Sequence, residues 1–414
     1  MNELQEGDLV ELTVGAPAHG GHCVARVGGE HGQVVFVRHA LPGERVTAEI
    51  TELHKGYARG DAIKIHEPSA DRVEPPCPYA GPGLCGGCDL QHASGDAQRR
   101  WKAAVVEEQL RRLAKLSYDV RVEELPGGLL GWRSRVRYAV DAAGRAGLLK
   151  HRSHEVVAID RCRIAHPRIQ ELDLLDREWP DADALEAVAT TGGDVTVLAR
   201  PSGSGRMLPP DDPADGVTLG GGGRVRLSGP AEVTEQAAGR EWRVPAEGFW
   251  QVHPAAAGTL VAAVIEMLRP ADGETAWDLY GGAGLFAGAI AERTHGRTTV
   301  VESSHAGAAA ARGNLGEPAE VVEARVEAAL SRRRVTGPVD LVVLDPPRAG
   351  AGAKVVRSVV AAGPRAVAYV ACDPAALARD IATFRELGWK LVTLRAFDCF
   401  PMTQHVECVA LLEP

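Results

Sequence analysis

The chain has 414 residues, 45% of them apolar and 24% charged, with 8 Cys and a formal net charge of −9. That length exceeds what one hydrophobic core fills, so two or three globular domains are expected. No run of about 18 apolar residues offers a membrane span, and the acidic, alternating N-terminus is not a signal peptide, so a cytoplasmic protein is expected, with its Cys serving metal binding or catalysis before disulfides.

Residues 1–66 read as a small all-β unit. Val10, Leu12 and Val14 alternate with polar neighbours, and Val34–Val37, Val46–Ile50 and Ala62–Ile65 follow, separated by Gly-rich turns. About five short strands of this kind suggest an OB-type barrel, a fold that often binds single-stranded nucleic acid. Arg26, Arg38, His39, Lys55 and Arg59 are its candidate contacts. The succession GDLVELTV, AHGGHCVARV and VFVRHALPGERV resembles a TRAM domain, which implies an RNA-binding barrel.

After a polar, Pro-containing linker (67–76), Cys77, Cys85 and Cys88 lie in a loop rich in Gly and Pro that can form neither helix nor strand. A thiolate-bound metal centre would order it, with Cys162 as the fourth ligand. Spacing alone leaves zinc and an iron–sulfur cluster both open. Residues 97–116 have helical periodicity, with Trp101, Val105, Leu110 and Leu113 on one side and Arg and Lys elsewhere. Within 99–168 there are 16 Lys/Arg against 8 Asp/Glu, a local +8 that makes a phosphate-binding face plausible in an acidic protein. Arg133, Arg135 and Arg137 at i, i+2 spacing are expected on one strand face, sharing either an RNA phosphate or nearby carboxylates. The stretch 67–240 is taken as a central α+β domain, and the Gly-rich segment 201–224 within it as a flexible insertion.

From 241 to 414 strands alternate with helices, the pattern of a Rossmann-like domain. Thr275–Tyr280 is a strand running into the turn Gly281-Gly282-Ala283-Gly284, and Thr298–Glu302 is a second strand ending on an acid. A Gly-rich turn followed about 20 residues later by an acid suits a nucleotide whose ribose hydroxyls the acid accepts. The absence of a dinucleotide-type GxGxxG favours S-adenosylmethionine over NAD. Leu341–Leu344 ends on Asp345-Pro346-Pro347, which points an acid into the crevice above the sheet. The apolar run Ala366–Val370 leads to Cys372 at the start of a helix, a position expected to lower a thiol's pKa; a lone buried Cys is the plain alternative. Glu407, set among apolar neighbours before a last strand, is expected to have a raised pKa and to suit a general acid or base.

GFWQVHP, DLYGGAGLF, LDPPRAG, VACDPAALARD and FPMTQHVE follow one another as in the RNA (uracil-5-)-methyltransferase family, which this chain resembles over nearly its whole length. The resemblance implies a multidomain α/β enzyme: a TRAM barrel, a central α+β domain with a four-cysteine iron–sulfur site, and a class I methyltransferase domain. It implies Cys372 as nucleophile and Glu407 as base. Gln251, Tyr280, Glu302 and Asp345 would contact S-adenosylmethionine, and Cys77, Cys85, Cys88 and Cys162 would carry a [4Fe–4S] cluster. The implied partner is ribosomal or transfer RNA, with no membrane, and a monomer is expected. Three departures stand out: seven residues between Cys77 and Cys85, Gly281 where the family usually has Cys, and His253 where Asn is common. Cys23, Cys399 and Cys408 are expected to be buried structural thiols. Two other readings are an RNA-base N-methyltransferase built on Asp345-Pro346-Pro347 and a non-catalytic RNA-binding protein.

Overall fold

The computed structural model describes residues 4–29, 31–203, 223–316 and 318–414. Most of the Gly-rich segment 201–224 therefore lies outside the described residues.

Six strands form the N-terminal barrel: Leu9–Thr13, Pro17–Ala18, His22–Val27, Gln33–Arg38, Arg45–His54 and Tyr57–Glu67. The first pairs with the fifth, the fifth with the sixth, the sixth with the fourth, the fourth with the third and the third with the second. Gly15 N donates to Val24 O (2.7 Å) and Val24 N to Ala16 O (2.9 Å), tying the end of the first strand to the third. Alternating residues Leu12, Val35, Val37, Val46, Ala48 and Ile50 fill the interior, and Trp101 and Val105 of helix Gly95–Gln109 pack into the same cluster. Ser94 caps that helix, its side chain accepting from Ala97 N.

Six antiparallel strands make the central sheet, in the order Val156–Ala158, Ala146–Leu149, Arg135–Val140, Ala182–Ala189, Val195–Pro201, Val225–Ser228. The hairpin Glu232–Ala237 with Arg240–Pro245 follows.

The C-terminal sheet has eight strands, in the order Glu320–Glu323, Thr298–Glu302, Ala276–Leu279, Leu341–Leu344, Ala366–Ala371, Glu407–Glu413, Lys390–Asp398, Val122–Glu124. The first five run parallel. Glu407–Glu413 enters antiparallel, and Val122–Glu124, from far upstream, closes the edge parallel to Lys390–Asp398. Continuous apolar runs here reflect burial on both faces. Val342, Leu344, Val367 and Tyr369 point into one core cluster, and Leu341, Val343, Ala368 and Val370 into the other. Helices Gly352–Ala362 and Pro374–Glu386 cover the first face, and Ala256–Leu268 and Leu285–Thr294 the second. No described helix is long and apolar enough to cross a membrane.

Candidate active site and thiol-lined cavity

In an open α/β sheet, loops diverge at the carboxyl ends of the strands where the order reverses, and a crevice opens there. Here that crevice is a cleft of about 1250 Å³, and Gln251, Tyr280, Glu302, Asp345, Cys372 and Glu407 all line it. Tyr280 takes a left-handed conformation (φ 68°), as do Gly282 (φ 53°) and Gly284 (φ 89°), so the chain turns sharply off its strand. Asp278, wholly buried, fixes the turn by accepting from Ala287 N (2.8 Å). A Cβ on Gly281 would come within 2.7 Å of Val300 Cγ1 and 2.9 Å of Asp278 Cγ, which accounts for Gly at that position in this chain. Glu302 accepts from Gly282 N (3.0 Å) and Ser304 N (2.6 Å), so its carboxylate is held at the strand end with lone pairs to spare.

Three carboxyls dominate the electrostatics, Asp278 and Glu407 buried and Asp345 half-buried. Burial first, then a neighbouring charge (Glu302 beside Asp278, Asp278 beside Asp345), raises Asp278 and Asp345 to about 7. Burial, then Asp345, pushes Glu407 well above the usual carboxylate range, as its sequence setting predicts. Cys372 departs from expectation. Burial, then Glu407 and Asp345, pushes its thiol up to about 11, with Arg348 opposing. Asp373, not Cys372, is the helix cap: Asp373 Oδ1 accepts from Ala376 N (2.7 Å) and the helix begins at Pro374. Cys372 precedes the cap, where burial and the charges of Glu407 and Asp345 act on its thiol.

Several contributors were not legible in the sequence. Asp380, on the helix after Cys372, is buried. It accepts from Tyr369 Oη (2.6 Å), Ala351 N (2.8 Å) and Gly352 N (3.1 Å), fixing the loop that follows Asp345-Pro346-Pro347. An Asp inside a helix reads as a surface residue, and only the fold brings the loop to it. His405, Thr403 and Phe400 line the same cleft, and burial, then Arg348, pushes His405 down to about 4.

The basic stretch is partly internal. Lys102 is fully buried, paired with Asp398 (2.5 Å) and donating to Phe400 O (3.0 Å). Arg135 is buried too, donating to Ala246 O (2.9 Å) and Gly248 O (2.7 Å) beside Glu235 (3.6 Å). Arg133, Arg135 and Arg137 therefore do not share one exposed face: Arg133 lines the cleft and Arg137 is exposed, while the carboxylate alternative holds for Arg135. In the barrel, Arg38 is buried between Asp61 and Asp89, and Arg59 pairs with Glu52 (2.9 Å), whereas Arg26 and Lys55 are exposed.

Cys77, Cys85, Cys88 and Cys162 converge on a second cavity, of about 150 Å³, together with Arg133, Arg137, Arg161 and Arg163. Cys85 is pushed up to about 11 by burial, and Cys88 and Cys162 are also raised, so the thiols sit in surroundings that favour their neutral form. Among the described residues no three His, Cys, Asp or Glu stand close enough to grip a single metal ion. Cys23, Cys399 and Cys408 are buried in three different hydrophobic clusters.

A doubly covered, mostly parallel sheet with a nucleotide-type turn, an acid on the next strand and a thiol among carboxyls defines a methyltransferase of the S-adenosylmethionine-dependent class. Residues 3–63 match the TRAM domain model and residues 337–414 the tRNA (uracil-5-)-methyltransferase model. The chain is 51% identical to an uncharacterized RNA methyltransferase of Streptomyces avermitilis, covering 99% of each. It is 39% identical to an uncharacterized RNA methyltransferase of Bifidobacterium longum, over 97% of this chain and 96% of the relative. The chain belongs to this family of RNA methyltransferases and is an S-adenosylmethionine-dependent enzyme. Its fold is shared with the crystal structure of the Pyrococcus abyssi tRNA (uracil-54, C5)-methyltransferase in complex with S-adenosyl-L-homocysteine, at a TM-score of 0.73 and 22% identity, over 97% of this chain and 100% of that one.

Proposed function

We propose that the protein methylates C5 of a uridine in ribosomal or transfer RNA, with Cys372 as nucleophile and Glu407 as the base that removes the C5 proton. The observation that carries this is the placement of a half-buried thiol and a fully buried carboxyl in one cleft with the nucleotide-type turn. Uracil C5 is a weak nucleophile. When the Cys372 thiolate adds to C6, the C5=C6 electrons move into an enolate and C5 becomes carbanion-like. C5 then takes the methyl group, and the electrons of the broken sulfur–methyl bond remain on the donor. Glu407 accepts the C5 proton, the C5–H electrons re-form the C5=C6 bond, and the C6–S electrons leave with Cys372. Covalent catalysis thus divides one difficult substitution into easier steps.

Glu407's raised pKa makes it a strong base once ionised. Gln251, Tyr280, Glu302 and Asp345 hold the methyl donor. Glu302 suits its ribose hydroxyls, and Gly282, which has open space where a Cβ would stand, lets the donor approach the backbone. The target base must leave its stack to reach the cleft at the strand ends, which favours a loop uridine.

Cys77, Cys85, Cys88 and Cys162 would hold a [4Fe–4S] cluster. Four thiols sharing one cavity are the donor set such a group takes. The cluster would order a loop that has little secondary structure, and it enters no step of the chemistry.

The test is RNA containing 5-fluorouridine, whose C5–F cannot lose a proton. Incubated with S-adenosylmethionine, it should become covalently attached at Cys372, and Cys372→Ala should abolish both attachment and methyl transfer. Methyl transfer that survives Cys372→Ala would refute the covalent route and favour attack by a base nitrogen.

A further inference from the structure

The barrel does more than extend the RNA-facing surface. Its second and third strands are joined by the tip His19-Gly20-Gly21, and both glycines have positive φ (95° and 81°), so the tip is tight. His19 Nε2 lies 3.0 Å from Asp373 Oδ2, a bond between residues 354 positions apart. A carboxylate only accepts, so His19 donates. Asp373 directly follows Cys372 and divides its oxygens, Oδ1 to the helix cap at Ala376 N and Oδ2 to His19. Burial alone would raise Asp373, but the bonds from His19 and Ala376 N outweigh it and hold the carboxyl below its usual range.

The same tip reaches the other side of the cleft. A Cβ on Gly21 would stand 3.0 Å from Asp89 Cγ, so backbone and carboxylate are in close contact. Asp89 Oδ2 accepts from Gln404 N (3.2 Å), three residues before Glu407, and Asp89 N and Leu90 N donate to Met402 O (3.1 and 2.9 Å). One hairpin tip thus abuts the loop that carries the thiol and the residue that fixes the approach to the carboxyl.

We propose that His19 is a positioning residue for the nucleophile: the barrel tip, through the His19–Asp373 bond, sets the backbone on which Cys372 is presented. This rests on the covalent uridine methylation described above. His19 is 38% exposed, so its removal should leave the fold intact. Loss of its bond frees one oxygen of the Asp373 cap and loosens the loop. Misplacing a reacting group by about 1 Å can cost about a hundredfold in rate, so a smaller shift is expected to cost about tenfold.

The experiment uses the full-length protein and transcripts of tRNA and large ribosomal RNA containing 5-fluorouridine, taking whichever attaches to the wild type. The rate of covalent attachment at saturating RNA and S-adenosylmethionine is measured beside the affinity for each. His19→Ala should slow attachment about tenfold while both affinities stay within about twofold. His19→Gln, which restores a donor of similar reach, should recover most of the rate. Asp373→Asn should slow attachment similarly, and His19→Ala should add little in that background. An unchanged rate in His19→Ala, a loss confined to RNA affinity, or effects of the two substitutions that multiply would each overturn the proposal. If neither transcript attaches to the wild type, the covalent reading itself falls, and this proposal with it.

Discussion

Removing the carboxylate beside the nucleophile should make the resting thiol more reactive. Cys372 is raised from 9.0 to about 11 by burial first and by Glu407 second. At pH 8 a thiol at that value is ionised to about one part in a thousand, against about one in ten for a thiol at 9. In Glu407→Gln the burial remains and one charge is gone. Where Glu407 is ionised, the thiol should therefore fall from that value, and its alkylation should quicken by less than the roughly hundredfold that separates the two ionised fractions, because burial, the larger cause, remains. The assay is iodoacetamide labelling, quantified by mass spectrometry on the peptide carrying Cys372 so that the other thiols do not interfere. In the wild type the logarithm of the rate should climb with unit slope to about pH 9.5 without levelling. S-adenosylmethionine or a cationic analogue in the same cleft should bring the midpoint down, because a positive charge offsets the carboxyls. A wild-type plateau near the ordinary thiol value, or an identical profile in Glu407→Gln, would show that these carboxyls do not govern the thiol.

Lys102→Ala should destabilise the protein by about 3–5 kcal/mol in urea unfolding, because Asp398 is left buried without its partner, whereas Lys102→Met paired with Asp398→Leu should recover much of the loss. His253 is 2% exposed and is pushed by burial from 6.5 to about 4. The unfolded chain therefore binds a proton that the folded chain refuses, and the stability this residue contributes is complete above pH 6.5 and declines as pH falls towards 4. His253→Asn should reduce the stability lost between pH 8 and pH 5 by about 2 kcal/mol, measured by urea unfolding at both values; an unaltered loss would show that His253 is not buried neutral. Protein purified without air should contain iron and sulfide and be brown, and Cys162→Ser should remove the colour and lower the melting temperature; a colourless wild type holding one zinc would overturn the cluster assignment.

The local features were legible in the order of the residues alone. Apolar runs such as Leu341–Leu344 and Ala366–Ala371 announced strands covered on both faces, because a strand buried on both sides has no reason to alternate. The turn after Ala276–Leu279, the acid ending Thr298–Glu302 and the isolation of Glu407 among apolar neighbours could likewise be read in order, since each depends on residues close in the chain. What the sequence could not decide depends on distance through space. Charge along the chain does not say which cations face water, so Lys102 reads as part of a basic helix face and Arg135 stands between phosphate and carboxylate partners until Asp398 and the carbonyls of Ala246 and Gly248 are brought to them. The Cys372 thiol followed the same logic: its place before a helix argued for a low pKa, and only the folded chain set Glu407 and Asp345 beside it. The contact between His19 and Asp373 is the extreme case, because nothing local to either residue anticipates a partner 354 positions away. Periodicity and turn chemistry act over a few residues and are written in order; desolvation and pairing depend on what tertiary packing brings near, and that order does not record it.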